Sequence, residues 1–119
     1  MDKKYDLEER TQDFGINAIR FSKLISQDII SRPIISQFIR SATSIGANYM
    51  EANAASSRKD FKNKIHICKK EAQETMYWLK MITECQPDKR DAAMVLWKEA
   101  QEFTFIFGKI ISSLNVSKF

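Results

Sequence analysis

The sequence predicts an all-α protein, folded as a single antiparallel up-and-down four-helix bundle. Three observations lead there. Apolar residues recur alternately three and four positions apart through four separate runs, the spacing of a helix with one buried stripe. Short polar breaks separate the runs, so consecutive helices must turn back on one another. The 119 residues hold only 3 Gly and 2 Pro, too few for the many turns of a β protein.

The first run predicts a helix over about 6–28, with Leu7, Thr11, Phe14, Ala18, Phe21 and Ile25 facing inward. Ser31-Arg32-Pro33 breaks the chain, and Pro33 suits the first turn of a second helix because its missing N–H would have no partner there. That helix is expected over about 33–55, burying Ile35, Phe38, Ala42, Ile45, Tyr49 and Ala52. Ser57-Arg58-Lys59-Asp60 resembles a capping box, with Asp60 where Glu is more usual, and opens a third helix over about 58–84. Its stripe is Phe61, Ile65, Cys68, Ala72, Thr75, Leu79 and Ile82. After Gln86-Pro87-Asp88, with Asp88 as the expected N-cap, the fourth helix runs over about 88–114. It carries Ala93, Leu96, Ala100, Phe103, Phe107, Ile110 and Leu114.

Length and composition agree with one domain, 1–119, able to bury its own core. Cys68 and Cys85 fall in helical patterns and read as reduced, half-buried thiols rather than a disulfide framework. Met1 to Tyr5 leads into a charged segment without the apolar stretch of a signal peptide, and no apolar run approaches a membrane span. A cytoplasmic protein with no membrane partner is the expectation. The net charge of +4 permits nucleic-acid binding without requiring it.

Large apolar residues remain outside the four stripes. Ile67, Trp78 and Met81 flank the third, while Met94, Val95, Trp97, Phe105, Ile106 and Ile111 surround the fourth. A helix that is apolar most of the way round is usually buried on two sides, which favours self-association over a monomer with scattered exposed apolars. Ile67, Trp78, Met81, Trp97 and Ile106 are the candidate oligomer interface.

A search for catalytic or metal chemistry finds none. A di-metal bundle site needs Glu-x-x-His pairs, but the single histidine, His66, follows Asn63 by three residues and stands among lysines. Cys68 and Cys85 lack Cys-x-x-Cys spacing and a second histidine, and no Gly-rich phosphate loop is present. Glu71 and Glu74 share a helix face and could mimic a catalytic pair, yet bonding to polar groups of a neighbouring helix explains them more simply. The chain reads as a non-enzyme without cofactor or metal.

Two polar features carry more information. Ser41, Ser44, Asn48 and Glu51 follow helical spacing on the second helix, with Ala42, Gly46 and Ala47 nearby to admit a close neighbour. Together with Glu71 and Glu74 they form a candidate specifying network or, nearly as well, a solvated face. The other feature is the basic run Arg58, Lys59, Lys62, Lys64, Lys69 and Lys70, much of it opposite the Ile67/Trp78 flank. Lysine concentrated on one face can neutralise phosphates, although such runs are more often only solvated.

Ser44-Ile45-Gly46-Ala47-Asn48-Tyr49-Met50-Glu51-Ala52 resembles the Ser-Ile-x-x-Asn-x-x-Glu signature of the four-helix bundle proteins associated with 23S rRNA intervening sequences. The likeness continues through Ser57-Arg58-Lys59-Asp60-Phe61 and from Lys70 to Leu79, while the first and fourth helices match by length and pattern only. One departure is Ala52, where family members often carry Gly. The resemblance implies a bacterial protein whose up-down-up-down bundles assemble into a five-membered ring. It extends to the related accessory proteins of diversity-generating retroelements, basic rings that bind nucleic acid and a reverse transcriptase. The family's marked positions fall on Ser44, Asn48, Glu51, Glu71 and Glu74.

Sequence and resemblance together lead to a non-enzymatic homo-oligomer, a pentamer by resemblance, that binds RNA or DNA through Arg58, Lys59, Lys62, Lys69 and Lys70. The alternative is a scaffold for a protein partner, with no direct nucleic-acid contact.

Overall fold

The computed structural model describes residues 6–116; the Met1–Tyr5 segment read above for a leader lies outside them. Four helices follow in order: α1 (Leu7–Ser22), α2 (Ser31–Asn53), α3 (Arg58–Cys85) and α4 (Arg90–Val116), with a short 3-10 turn, Pro87–Lys89, before the last. Each helix packs on the next, and α4 closes on α1 through the thinnest of these contacts. The body measures 51 × 29 × 21 Å, its long dimension set by the two longest helices.

Local signals explain most of the helix ends. Asp6 caps α1 by accepting the Glu9 N–H at 3.1 Å, and Ser57 caps α3 by accepting the Asp60 N–H at 3.0 Å. The capping box read from Ser57-Arg58-Lys59-Asp60 therefore marks a true helix start. Acidic Glu8 and Glu9 in the first turn of α1, and Arg20 in its last, complement the helix dipole.

Helix α2 begins at Ser31, so Ser31 and Arg32, expected in the break, form its first turn with Pro33, and two other boundaries differ from the sequence reading. Helix α1 stops at Ser22 instead of continuing to 28. The residues beyond it are already engaged in starting α2. Asp28 accepts the N–H groups of Ile30 and Ser31 at 2.9 and 2.8 Å, while the Ser31 hydroxyl accepts the Asp28 N–H and donates to the Ser26 carbonyl. A residue that caps the next helix cannot extend the previous one. Ile25 nevertheless stays in the core at 4% exposure, which is why the apolar spacing ran past the helix end. The second difference is Asp88, which is not the N-cap of α4. With Pro87 fixing the backbone, it lies inside the 3-10 turn closed by Lys89 N–H to the Gln86 carbonyl. Gln86 also accepts the Ser26 N–H at 2.8 Å, tying together the two loops at that end of the bundle.

The core is built from the four stripes, although Leu7, Tyr49, Phe61 and Ile110 pack half-buried at its margins and Leu114 lies outside it. Phe14 meets Phe103 edge to face at 5.5 Å, Phe21 meets Phe38 at 6.0 Å, and Phe107 lies 6.2 Å from Phe103 and 5.9 Å from Tyr49. Ile111, read from the sequence as lying off the stripe, is buried with them. Gly46 explains how α1 approaches α2 so closely: a Cβ there would stand 3.2 Å from the Thr11 carbonyl oxygen.

The two cysteines occupy opposite environments. Cys68 is fully buried and directs its thiol at the Ile45 carbonyl, and burial pushes its pKa up to about 12; Cys85 is exposed at the end of α3. Because the thiolate is the reactive form, an aromatic disulfide reagent at neutral pH is expected to titrate one thiol per chain in the native protein, and two in denaturant. Rapid reaction of both native thiols would contradict this packing.

Candidate functional site

Helix α3 determines what the surface can do, since its two flanks and its outer face carry different chemistry. Toward α2 stand Glu71 and Glu74. Arg40, one turn before Ser44 on α2, donates to both oxygens of Glu71 at 3.1 and 3.2 Å and to Glu74 at 2.9 Å. This fork satisfies a carboxylate whose side chain is only 11% exposed. Partial burial pulls the Glu74 carboxyl up, but the hydrogen bond from Arg40 and the charges of Arg40 and Lys70 outweigh it, holding the group below its ordinary value. Behind the fork, the Thr75 hydroxyl donates to the Ser41 hydroxyl at 2.9 Å inside the core.

The polar residues singled out in the sequence therefore divide. Glu71 and Glu74 join one network centred on Arg40, a residue the sequence reading passed over; its charge, one turn from Ser44, was the available signal. Ser44 and Asn48 bond back to carbonyls of their own helix, those of Arg40 and Ser44. Glu51 pairs instead with Lys64 at 2.8 Å. A single network of Asn48, Glu51, Glu71 and Glu74 does not form, because Asn48 and Glu51 lie two and three helical turns further along α2.

A similar fork operates on the other side of the molecule. Arg10 of α1 reaches Glu99 of α4 at 2.8 Å and Glu102 at 3.2 Å, with its guanidinium over the Phe103 ring. Two arginines, one each from α1 and α2, thus engage the carboxylates on the flanks of α4 and α3.

Lysine dominates the charge that remains on the outer faces of α3 and α4, with Glu84 and Asp91 at one end. Among the described residues Lys64 is the lysine that pairs with a carboxylate; Lys59, Lys69, Lys70, Lys80, Lys98 and Lys109 do not. Exposed His66 stands on the same α3 face. Two of the predicted binding residues are partly committed elsewhere. Arg58 donates to the Leu114 carbonyl at 2.8 Å and Lys62 bonds to Asn115, so both serve the C-terminal end of α4, where cations and donors are favoured. Lys69 lies across Gly108.

The candidate oligomer residues are less exposed than the sequence suggested. Trp78 and Trp97 pack against the subunit's own core, Met81 and Ile106 are half-buried, and Ile67 alone of the five is exposed. The buried indole N–H groups of Trp78 and Trp97 have no acceptor. Open apolar surface lies elsewhere, notably Ile16, Ile19 and Met50 on a groove of about 590 Å³ between α1 and α2, rimmed by Asp6, Glu8 and Glu9. No cluster of three or more His, Cys, Asp or Glu able to hold a metal occurs among the described residues, and no described helix is long and apolar enough to cross a membrane.

Comparison with known proteins agrees with this architecture. The model of the 23S rRNA-intervening sequence protein family matches residues 3–109, all but the end of the bundle. The chain belongs to that family. A solved structure from Bacteroides thetaiotaomicron, described as a protein with unknown function from the S23 ribosomal protein family, is similar. It shares 30% sequence identity and a TM-score of 0.75, over 87% of this chain and 96% of that one. No curated protein matches. The matched span includes Ser44–Ala52, where the Ser44 hydroxyl back-bonds to the carbonyl of Arg40, the residue that holds Glu71 and Glu74.

Proposed function

We propose that this family member is a non-enzymatic, oligomeric bundle that binds nucleic acid through the lysines of α3 and α4. The observation that carries the reading is charge segregation. Glu71 and Glu74 are held by Arg40, and Glu99 and Glu102 by Arg10, so most lysines between those flanks form no ion pair and keep their charge for a ligand. A phosphate backbone gains from such a face by releasing its counterions. Reduced thiols at Cys68 and Cys85 suit work in the cytoplasm.

Self-association is supported by the exposed apolar groove between α1 and α2, and a ring would multiply modest lysine patches through multivalency. Its acidic rim would repel nucleic acid, so a second copy of the chain is the better occupant. A protein partner seated there instead would make the molecule a scaffold. Recovery of that partner from nuclease-treated cells would favour the scaffold.

Binding of labelled RNA and DNA at several salt concentrations, alongside native mass, tests the proposal. Expected are a multiple of the 13.8 kDa chain and an affinity that falls with salt. Replacing Lys59, Lys69 and Lys70 by Glu should weaken binding at least tenfold and flatten the salt slope by about 0.7–0.9 for each phosphate no longer neutralised. Arg58 and Lys62 are left intact in this variant because they support the end of α4. Binding indifferent to the reversals would remove the nucleic-acid half, and a single-chain mass at high concentration would remove the assembly.

A further inference from the structure

The lysine face also presents two aromatic rings to solvent. Tyr77 of α3 is 54% exposed and Phe105 of α4 is 68% exposed. Neither contributes to the buried core; a single exposed ring is ordinary on a protein surface, but these two share one face with the unpaired lysines of both helices. Tyr77 is also held in place, edge-on to Trp78 with ring centroids 4.9 Å apart.

Cross-helix contacts show that the two rings lie at nearly the same level. The Thr104 hydroxyl meets the Met76 sulfur at 3.8 Å, Lys69 lies across Gly108, and the Lys80 ammonium stands 5.8 Å from the centre of the Trp97 ring. In that antiparallel register Phe105 falls two to five residues, about 3–8 Å, from the level of Tyr77 along the bundle axis. Helical spacing sets lysines on the same faces: Lys80 three residues after Tyr77, Lys109 four after Phe105, and Lys98 seven before it. Glu84 and Asp91 mark the acidic end of this surface.

Duplex recognition by phosphate contacts alone has no use for exposed rings, since the bases are stacked inside. Single strands do, because any unpaired base offers a face to stack on an aromatic side chain while cations track the backbone. We propose that the outer face of α3 and α4 is a platform for single-stranded nucleic acid: Tyr77 and Phe105 stack unpaired bases, and Lys69, Lys80, Lys98 and Lys109 hold the adjoining phosphates. This rests on the nucleic-acid reading above and narrows it to strands or loops with unpaired bases.

The test uses the full chain and three fluorescent probes: an oligo-uridylate of about twenty nucleotides, the matching oligo-thymidylate, and an RNA duplex of the same length. The wild-type protein is expected to bind the single strands at least tenfold more tightly than the duplex. The pair Tyr77→Ala and Phe105→Ala should remove most of that preference, lowering single-strand affinity about tenfold or more and leaving duplex affinity unchanged. Tyr77→Phe, which keeps the ring, should bind as wild type does. A difference between uridylate and thymidylate would report a contact to the 2′-hydroxyl or to the C5 methyl that distinguishes the two strands, within the same proposal. Equal binding of strand and duplex, unaffected by the alanine pair, would overturn the platform while leaving the lysine face standing. No binding of any probe at low salt would overturn both. If the alanine pair instead lowers the native mass, the rings join copies of the chain, and the platform is likewise overturned. Both rings are exposed, so an unchanged thermal melt is the expected control for folding.

Discussion

Phe103→Ala is expected to destabilise the protein by about 3–5 kcal/mol, whereas Phe105→Ala, two residues away on the same helix, should change stability by less than about 0.5 kcal/mol. The contrast follows from the pitch of α4. Phe103 is fully buried, meets Phe14 edge to face, neighbours Phe107, and has the Arg10 guanidinium 5.2 Å from its centroid. Truncation removes the ring's burial and leaves a cavity between α1 and α4, whose packing is already the thinnest in the bundle. Arg10 would also lose the ring beneath it while still holding Glu99 and Glu102, so part of the loss comes from loosening that fork. Phe105 faces solvent and has no such dependants. Urea unfolding followed by far-UV circular dichroism measures both variants. Comparable midpoints for the two alanines would mean that α4 is rotated from the orientation described here.

How much of this could be read in the residues depends on the kind of signal. Apolar spacing reports burial directly, so most of the inward stripes were legible down to Thr11 and Thr75, two polar residues that lie in the core; the end of α4 differs, where Ile111 is buried and Ile110 and Leu114 are half-buried. Helix ends are set by local hydrogen bonds, which compete. Ser57 announced its cap because the serine and the first turn follow one another in the chain, whereas Asp28 was hidden behind the continuing apolar register of Ile25. Side-chain partners across helices were the least legible. Glu71 and Glu74 stood out as a pair, but nothing in their spacing names Arg40, more than thirty residues earlier. The basic run was visible as composition; that Arg58 and Lys62 serve the end of α4 depends on where a helix more than fifty residues away finishes. The spacing of apolar residues outside the stripes does not say where they pack; Trp78 and Trp97 lie half-buried against the core of their own bundle. A bulky ring beside a stripe can cover the seam between helices, and a helical wheel does not show that.

The Arg40 fork makes the second large prediction, one that changes with pH. Arg40→Met keeps much of the aliphatic stem and removes the guanidinium, leaving the nearly buried Glu71 and its neighbour Glu74 without their shared cation. For a fully buried pair such a loss would cost several kcal/mol; with 44% of the Arg40 side chain in solvent, about 1–2 kcal/mol at pH 7 is expected. The sign of the pH dependence differs between the two proteins. In the wild type the Glu74 carboxyl is held below its ordinary value, so its contribution is present above the unfolded pKa and is lost as pH falls through the folded one. In the variant, two neighbouring carboxylates without a cation oppose each other's ionisation, so at least one folded pKa rises. Acidification then relieves the variant while it costs the wild type. The stability gap should be widest near neutrality and close as pH falls through the carboxylate range, which urea unfolding at pH 7 and about pH 4 would show. A gap that stays constant between those conditions would mean that Arg40 contributes packing alone. It would also remove the electrostatic reason for the carboxylates to stand aside from the lysine face, since two acids not neutralised by Arg40 would sit within reach of any phosphate bound beside Lys70.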